Sequence, residues 1–154
     1  MNLPLITILG PTATGKTRLS VLLAQHIDAE IISADSRQVY RGMDIGSGKD
    51  LSDYAINGIS IPYHLIDIAE PGLEYNVFQY QQAVHKTLQN IRERGKNTII
   101  CGGSGMYIEA VLKGYKLFPV PENEILRNEL FLKSENELIQ ILSKLRELHN
   151  QTDT

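Results

Sequence analysis

The sequence predicts an α/β fold: a mainly parallel sheet with helices on both faces. Three observations lead there. Short β-branched runs alternate with stretches of helical periodicity through residues 1–117, the order expected of βαβ units. Two of those runs break into glycine loops, at Gly10 and at Gly102-Gly103-Ser104-Gly105. The first loop opens directly into a helical pattern, as strand-loop-helix units that hold anions do.

Taken in order, Leu5 to Leu9 has the length and β-branched content of a buried strand. Leu19, Leu22, Leu23 and Ile27 then recur at helical spacing and predict a helix after the loop. After Asp28-Ala29, residues Glu30 to Ala34 read as a second strand, with Asp35 at its carboxyl end. Ser36 to Asp53 reads as a long loop region with a short helix over Arg37–Arg41; long loops on a ligand-binding rim are often functional. Ile61 to Ile68 predicts a third strand, with Pro62 confined to its start because proline cannot donate to the ladder. Pro71-Gly72 is a turn. Asn76 is a good N-cap for a helix whose stripe is Val77, Tyr80, Val84, Leu88 and Ile91, and Gly95 fits the C′ position. Thr98 to Cys101 is a fourth strand, and a helix carrying Ile108, Val111 and Leu112 stops at Gly114. Phe118-Pro119-Val120-Pro121 reads as a linker, dividing the chain into residues 1–117 and 118–154. Two helices follow. The first holds Leu126 and Leu130. The second opens on a Ser134-x-x-Glu137 capping box and carries Leu138, Ile141, Leu142, Leu145 and Leu148.

The chemistry concentrates in Gly10-Pro11-Thr12-Ala13-Thr14-Gly15-Lys16-Thr17, which matches G-x-x-x-x-G-K-[ST]. The glycines allow a tight turn whose amides point at an anion, and the following helix adds its N-terminal partial charge. Lys16 brings a full positive charge, and the Thr17 hydroxyl is placed to ligate Mg2+. Ligands of open α/β sheets bind outside the carboxyl ends of the strands, so Asp35 belongs on the same rim as this loop.

Composition narrows the rest. The 154 residues are 42% hydrophobic, enough for a real core, and no apolar stretch reaches membrane-spanning length. Met1 to Pro4 lacks the basic start of a signal peptide. A single cysteine, Cys101, excludes a disulfide framework and suits a reducing, cytoplasmic compartment. Cys101 with His26, His64, His85 and His149 offers no metal-ligand spacing. Net charge is −3; residues 1–117 hold 11 basic and 11 acidic side chains, residues 118–154 hold 4 and 7. Charge alone therefore gives no sign of a nucleic-acid partner.

Beyond the loop, Ile31-Ile32-Ser33-Ala34-Asp35-Ser36-Arg37-Gln38-Val39-Tyr40-Arg41-Gly42-Met43-Asp44-Ile45-Gly46 closely resembles the tRNA dimethylallyltransferase (isopentenyltransferase) family. Tyr63-His64-Leu65-Ile66-Asp67, Gly102 to Tyr107 and Leu117-Phe118-Pro119 fall in the family's order and spacing. The resemblance implies a P-loop NTPase-like core, then the start of a helical tRNA-binding insertion. It implies transfer of a dimethylallyl group from its diphosphate to N6 of the adenine just 3′ of the anticodon. Residues 10–17 would hold the diphosphate, with Lys16 and Mg2+ on Thr17 stabilising the leaving group. Asp35 would be the general base. Asp35, Ser36, Arg37, Gln38, Ser104 and Arg127 would meet the anticodon stem-loop of the tRNA. Ser104 departs from the threonine of many members but keeps the hydroxyl. Family members run to about twice this length, so the resemblance implies the N-terminal half only. Reduced or no activity of the chain alone follows from that expectation, as does self-association through an uncovered helical stripe. Three readings compete: a small-molecule kinase with ATP in the loop, a transferase acting on free adenine nucleotides, and a non-catalytic nucleotide or diphosphate binder.

Overall fold

The computed structural model describes residues 4–56 and 58–145. The expectations for Met1 to Leu3, Leu148 and His149 lie outside them. The chain divides into two compact units, residues 1–118 and 119–154.

The first unit runs β1 (Leu5–Leu9), α1 (Lys16–Ile27), β2 (Ala29–Ala34), a 3-10 turn (Leu51–Tyr54), β3 (Ala55–Ile56), β4 (Ile59–Ser60), β5 (Tyr63–His64), α2 (Val77–Glu93), β6 (Asn97–Gly102) and α3 (Gly105–Leu112). Its main sheet has the order β1-β6-β2-β5, and every pair in it is parallel. Parallel neighbours need crossovers: α1 joins β1 to β2, α2 joins β5 to β6, and the long segment 35–62 joins β2 to β5. Alternate residues of the central strands feed two cores. Ile32, Ala34 and Ile100 pack with Tyr80, Val84, Leu88 and Ile91 of α2 and with Tyr107, Ile108 and Val111 of α3. Ile31 and Ile99 pack on the other face with Val21 and Ala24 of α1. The sheet is thus buried on both sides, which explains why β2 and β6 read as continuous apolar runs rather than alternating ones.

Helix α2 follows its sequence closely. Asn76 and Gln79 form a reciprocal capping box, and Tyr80, Val84, Leu88 and Ile91 are buried. Helix α1 forms as expected, and two other expectations, over Ile61–Ile68 and Arg37–Arg41, are corrected. Helix α1 buries Ser20, Val21 and Ala24 and packs Leu23 and Ile27 against the core, while Leu19 and Leu22 are 56% and 45% exposed. The small residues at 20 and 24 let the helix lie close on β6 and β2, and the Ser20 hydroxyl is satisfied by donating to Lys16 O (2.8 Å). The eight-residue strand over Ile61–Ile68 shrinks to β5. Leu65 and Asp67 adopt left-handed backbone (φ 63° and 56°), which turns the chain off the sheet. No helix forms over Arg37–Arg41; the segment is a turn, closed by a bridge between Tyr40 and Ala69.

The second unit holds α4 (Glu124–Phe131), capped by the Asn123 side chain, and α5 (Glu135–Leu145). The Glu137 carboxylate accepts from Ser134 N and Oγ at the start of α5 (2.8 and 2.6 Å). Neither helix buries a residue. Among the described residues, no helix is long and apolar enough to cross a membrane.

Candidate functional site

Strand register sets the site. Leu9 pairs with Gly102, and Gly102 pairs with Ala34, so three strands end at one level. The residues that follow, Gly10, Gly103 and Asp35, share the carboxyl rim of the sheet. The rim is tight: a Cβ at Gly102 would lie 2.1 Å from Ala34 O. Around it is a cavity of about 320 Å³, lined by residues 12–18 of the loop and α1 and by Ser33, Asp35, Gln38, Ser47 and Gly48, with further contributions from Asp53, Tyr54 and the end of β6.

The loop that leaves β1 is strongly curved. Ala13 and Gly15 are left-handed (φ 63° and 81°), and α1 starts at Lys16 with Gly15 as its N-cap. Ala13 pays for that conformation with its Cβ, whereas Gly15 has none to clash. Thr14 Oγ1 and Lys16 Nζ both donate to Pro11 O, at 2.9 and 2.5 Å, and so fold the loop across itself. The first amides of α1 stay at the cavity, where an unpaired helix start favours an anion.

Asp35 is half-buried. Its Oδ1 accepts from Arg37 N (2.9 Å), forming a turn that aims the segment away from β2. Ser104 pins this turn from both sides, since its N–H donates to Ala34 O (3.0 Å) and its Oγ accepts from Ser36 N (2.9 Å). Gln38 is engaged inside the protein. Its Oε1 accepts from Ser33 Oγ (3.0 Å), and its Nε2 donates to Ser47 O and Gly48 O (3.4 and 3.3 Å). Ser36 and Arg37 are exposed. Arg127 lies in the second unit on α4, paired with Glu122 (3.0 Å). The structure therefore brings the loop, Asp35 and Gln38 onto one cavity, with Ser36 and Ser104 bonded to its rim.

Two cavity groups that could ionise hold their protons instead. Burial pushes the Cys101 thiol up, with Ser20 and Lys16 partly opposing it. Burial also drives the Tyr54 phenol far above its ordinary value, helped by Cys101, Asp53 and Asp35. Both stay neutral near pH 7. Among the described residues, no three His, Cys, Asp or Glu side chains gather as a metal cluster. The Thr17 hydroxyl on the cavity nevertheless suits Mg2+, which is commonly held by one or two protein oxygens plus substrate phosphates.

Sequence reasoning missed several cavity residues: Arg18, Ser33, Ser47, Gly48, Asp53, Tyr54, Cys101, Gly102 and Gly103. For Gly102 and Gly103 a signal existed, a glycine loop at a strand end. Arg18, Ser33 and Cys101 sit on α1, β2 and β6 beside the rim, and Ser47, Gly48, Asp53 and Tyr54 arrive through the long loop after β2; none of these seven carried a signal of its own.

The parallel order and the glycine loop at the end of β1 place the first unit among α/β proteins of the P-loop type. Comparison with known proteins goes further. The IPP transferase family model matches residues 38–154. The chain is 61% identical over 149 residues to tRNA dimethylallyltransferase 1 of Parabacteroides distasonis, covering 97% of this chain and 48% of the relative. It is 59% identical to tRNA dimethylallyltransferase 2 of Bacteroides fragilis, covering 97% and 49%. A solved structure of the full-length tRNA isopentenylpyrophosphate transferase of Bacillus halodurans superposes with a TM-score of 0.71 at 38% identity, over 94% of this chain and 48% of that one. A eukaryotic dimethylallyltransferase solved acting on tRNA gives 0.63 at 32% identity, over 68% and 25%. The chain belongs to the IPP transferase family and spans about half the length of the curated relatives it matches.

Proposed function

We propose that the protein transfers a dimethylallyl group from dimethylallyl diphosphate to N6 of the adenine 3′ of a tRNA anticodon. The observation that carries this reading is the placement of the phosphate loop and Asp35 on one cavity. A diphosphate needs amides and a cation; an attacking exocyclic amine needs a base within reach.

In this reading, residues 10–17 seat the diphosphate. Lys16 leaves the Pro11 carbonyl for a phosphate oxygen, a stronger charge-assisted partner. Thr17, with substrate oxygens, would hold Mg2+, which when bound neutralises charge building on the departing pyrophosphate. The bond that breaks is carbon–oxygen at the allylic carbon, and the bond that forms joins that carbon to N6. Asp35 takes the N6 proton, through the carboxylate oxygen that Arg37 N does not occupy. The adenine leaves its stack to reach the cavity. Ser36 and Arg37 meet the RNA, while Gln38 and Ser104, tied into the protein, shape the segment that does so. Arg127 contributes a phosphate contact once released from Glu122. The homologues named for tRNA modification support the tRNA partner, and the reading places the protein in the cytoplasm, where tRNA is modified.

The test is titration of the 154-residue chain with dimethylallyl diphosphate and Mg2+, followed by transfer assays on a chain completed to the length of its relatives. Saturable diphosphate binding and N6 alkylation of an unmodified anticodon stem-loop support the reading. Phosphoryl transfer from ATP in place of alkylation would overturn it in favour of a kinase.

A further inference from the structure

Lys49 lies just after the cavity residues Ser47 and Gly48, and its side chain is 2% exposed. A buried ammonium is costly unless its protons find acceptors. Here each of the three does: Tyr40 O at 2.9 Å, Asp44 Oδ1 at 2.9 Å and Asp67 Oδ1 at 2.5 Å. Asp67 is itself a junction. Its N–H donates to Gln38 O (3.0 Å), its carbonyl accepts from Arg41 Nε (2.9 Å), and its backbone is left-handed (φ 56°). Non-glycine residues in that region cost energy and persist only where surrounding contacts hold them, often beside functional sites.

The segment that these bonds restrain is Gly42 to Gly48. With glycines at 42, 46 and 48 it loses much chain entropy on ordering. Three devices oppose that loss: Ser47 Oγ donates to Met43 O (2.5 Å) within the segment, and Gln38 and Lys49 tie the segment to the rest of the chain. The Gln38 amide reaches Ser47 O and Gly48 O only at 3.4 and 3.3 Å, long for N–H···O bonds. The three Lys49 bonds are short and all are charge-assisted, two of them being ion pairs, so Lys49 is a stronger tether than Gln38. We propose that Lys49 is a positioning residue: clamped by Tyr40, Asp44 and Asp67, it fixes Ser47 and Gly48 as a wall of the ligand cavity.

The cavity's cations, Lys16 and Arg18, both lie on the phosphate-loop side. A diphosphate is therefore held there, and the Ser47–Gly48 wall meets the organic part of the ligand. This rests on the allylic diphosphate reading for the choice of ligand only.

The experiment compares wild type, Lys49→Met, Lys49→Arg and Asp44→Asn in the 154-residue chain. Hydrogen exchange is read over residues 43–48, and calorimetry is run with Mg2+ and either inorganic pyrophosphate or dimethylallyl diphosphate. Lys49→Met should speed exchange in the segment tenfold or more. It should weaken dimethylallyl diphosphate at least fivefold and change pyrophosphate less than twofold. Lys49→Arg should restore most of both, and Asp44→Asn, at an exposed carboxylate, should show the same pattern more weakly. Unchanged exchange, or an equal loss for both ligands, overturns the proposal. Should Lys49→Met not fold, Asp44→Asn and Lys49→Arg decide by the same two readouts. A wild-type chain that binds neither ligand refutes the functional reading, while the exchange data still judge Lys49.

Discussion

Gly102→Ala is the sharpest perturbation that the fold offers. Gly102 has no unusual φ, so the substitution raises no conformational objection. The obstacle is steric: the new Cβ would sit 2.1 Å from Ala34 O, 2.4 Å from Ala34 C and 2.8 Å from Ala34 Cα. All three are backbone atoms, so no side chain can swing aside. Non-bonded carbon atoms rest at about 3.5 Å or more, so β6 and β2 must part by roughly 1 Å at the rim. Inserting one methyl into a tight core typically costs about 1–3 kcal/mol, and here the upper end applies. Asp35 follows Ala34 directly, so the same shift displaces it, and a misplacement of about 1 Å can cost about 10²-fold in rate. Gly105→Ala is the control. Nothing lies within 4 Å of a Cβ there, and the residue opens α3, so alanine should be neutral or stabilise by up to about 1 kcal/mol. Urea unfolding of both variants provides the assay. A Gly102→Ala protein as stable as Gly105→Ala would refute the close approach of the two strand ends and the positioning of Asp35 built on it.

Two further predictions concern charge. Lys16→Ala should weaken dimethylallyl diphosphate by about 1.5–3 kcal/mol, the scale of a hydrogen bond to a charged group; calorimetry showing equal affinity would remove Lys16 from the site. Glu30, 8% exposed in its side chain, receives Arg94 Nε and Nη2 (3.1 and 2.7 Å) and lies 2.6 Å from His64 Nε2. Burial alone would raise its pKa, but the Arg94 and His64 bonds outweigh burial and lower it. Its contribution is therefore full above about pH 4.3, the ordinary glutamate value, and is lost as pH falls through the lower folded value. Glu30→Gln should cost about 1–3 kcal/mol at pH 7, since Arg94 is half-exposed, and should flatten the loss of stability below about pH 4.3 measured by denaturant titration. An acid limb as steep as wild type would show that Glu30 does not shape it.

How much of this was legible depended on whether the cause was local. β1, β2, α2 and β6 carry their own signals: β-branched runs, an Asn76 cap, a spaced stripe. The loop at 10–17 and the place of Asp35 at a strand end follow from the same local grammar. The strand expected over Ile61–Ile68 did not hold, because the chain turns left-handed at Leu65 and Asp67, and Gln38, Arg41 and Lys49 from elsewhere in the chain hold Asp67 in that turn. The buried face of α1 was not legible for a related reason: hydrophobicity marks Leu19 and Leu22, while the close sheet contact selects Ser20 and Ala24. Ser47, Lys49 and Asp53 gained their places only through the folding of a long loop onto β2, which no periodicity encodes.

The central claim is that the phosphate loop and Asp35 work on one reaction. Single-turnover transfer of a radiolabelled dimethylallyl group to an unmodified anticodon stem-loop tests it most directly, in a chain completed to the length of its relatives. Wild type should label N6 of the adenine 3′ of the anticodon. Asp35→Asn should slow that step by about 10²–10⁴-fold, the usual contribution of a general base, with diphosphate affinity unchanged. Transfer by Asp35→Asn at the wild-type rate, or loss of diphosphate binding in its place, would contradict the account.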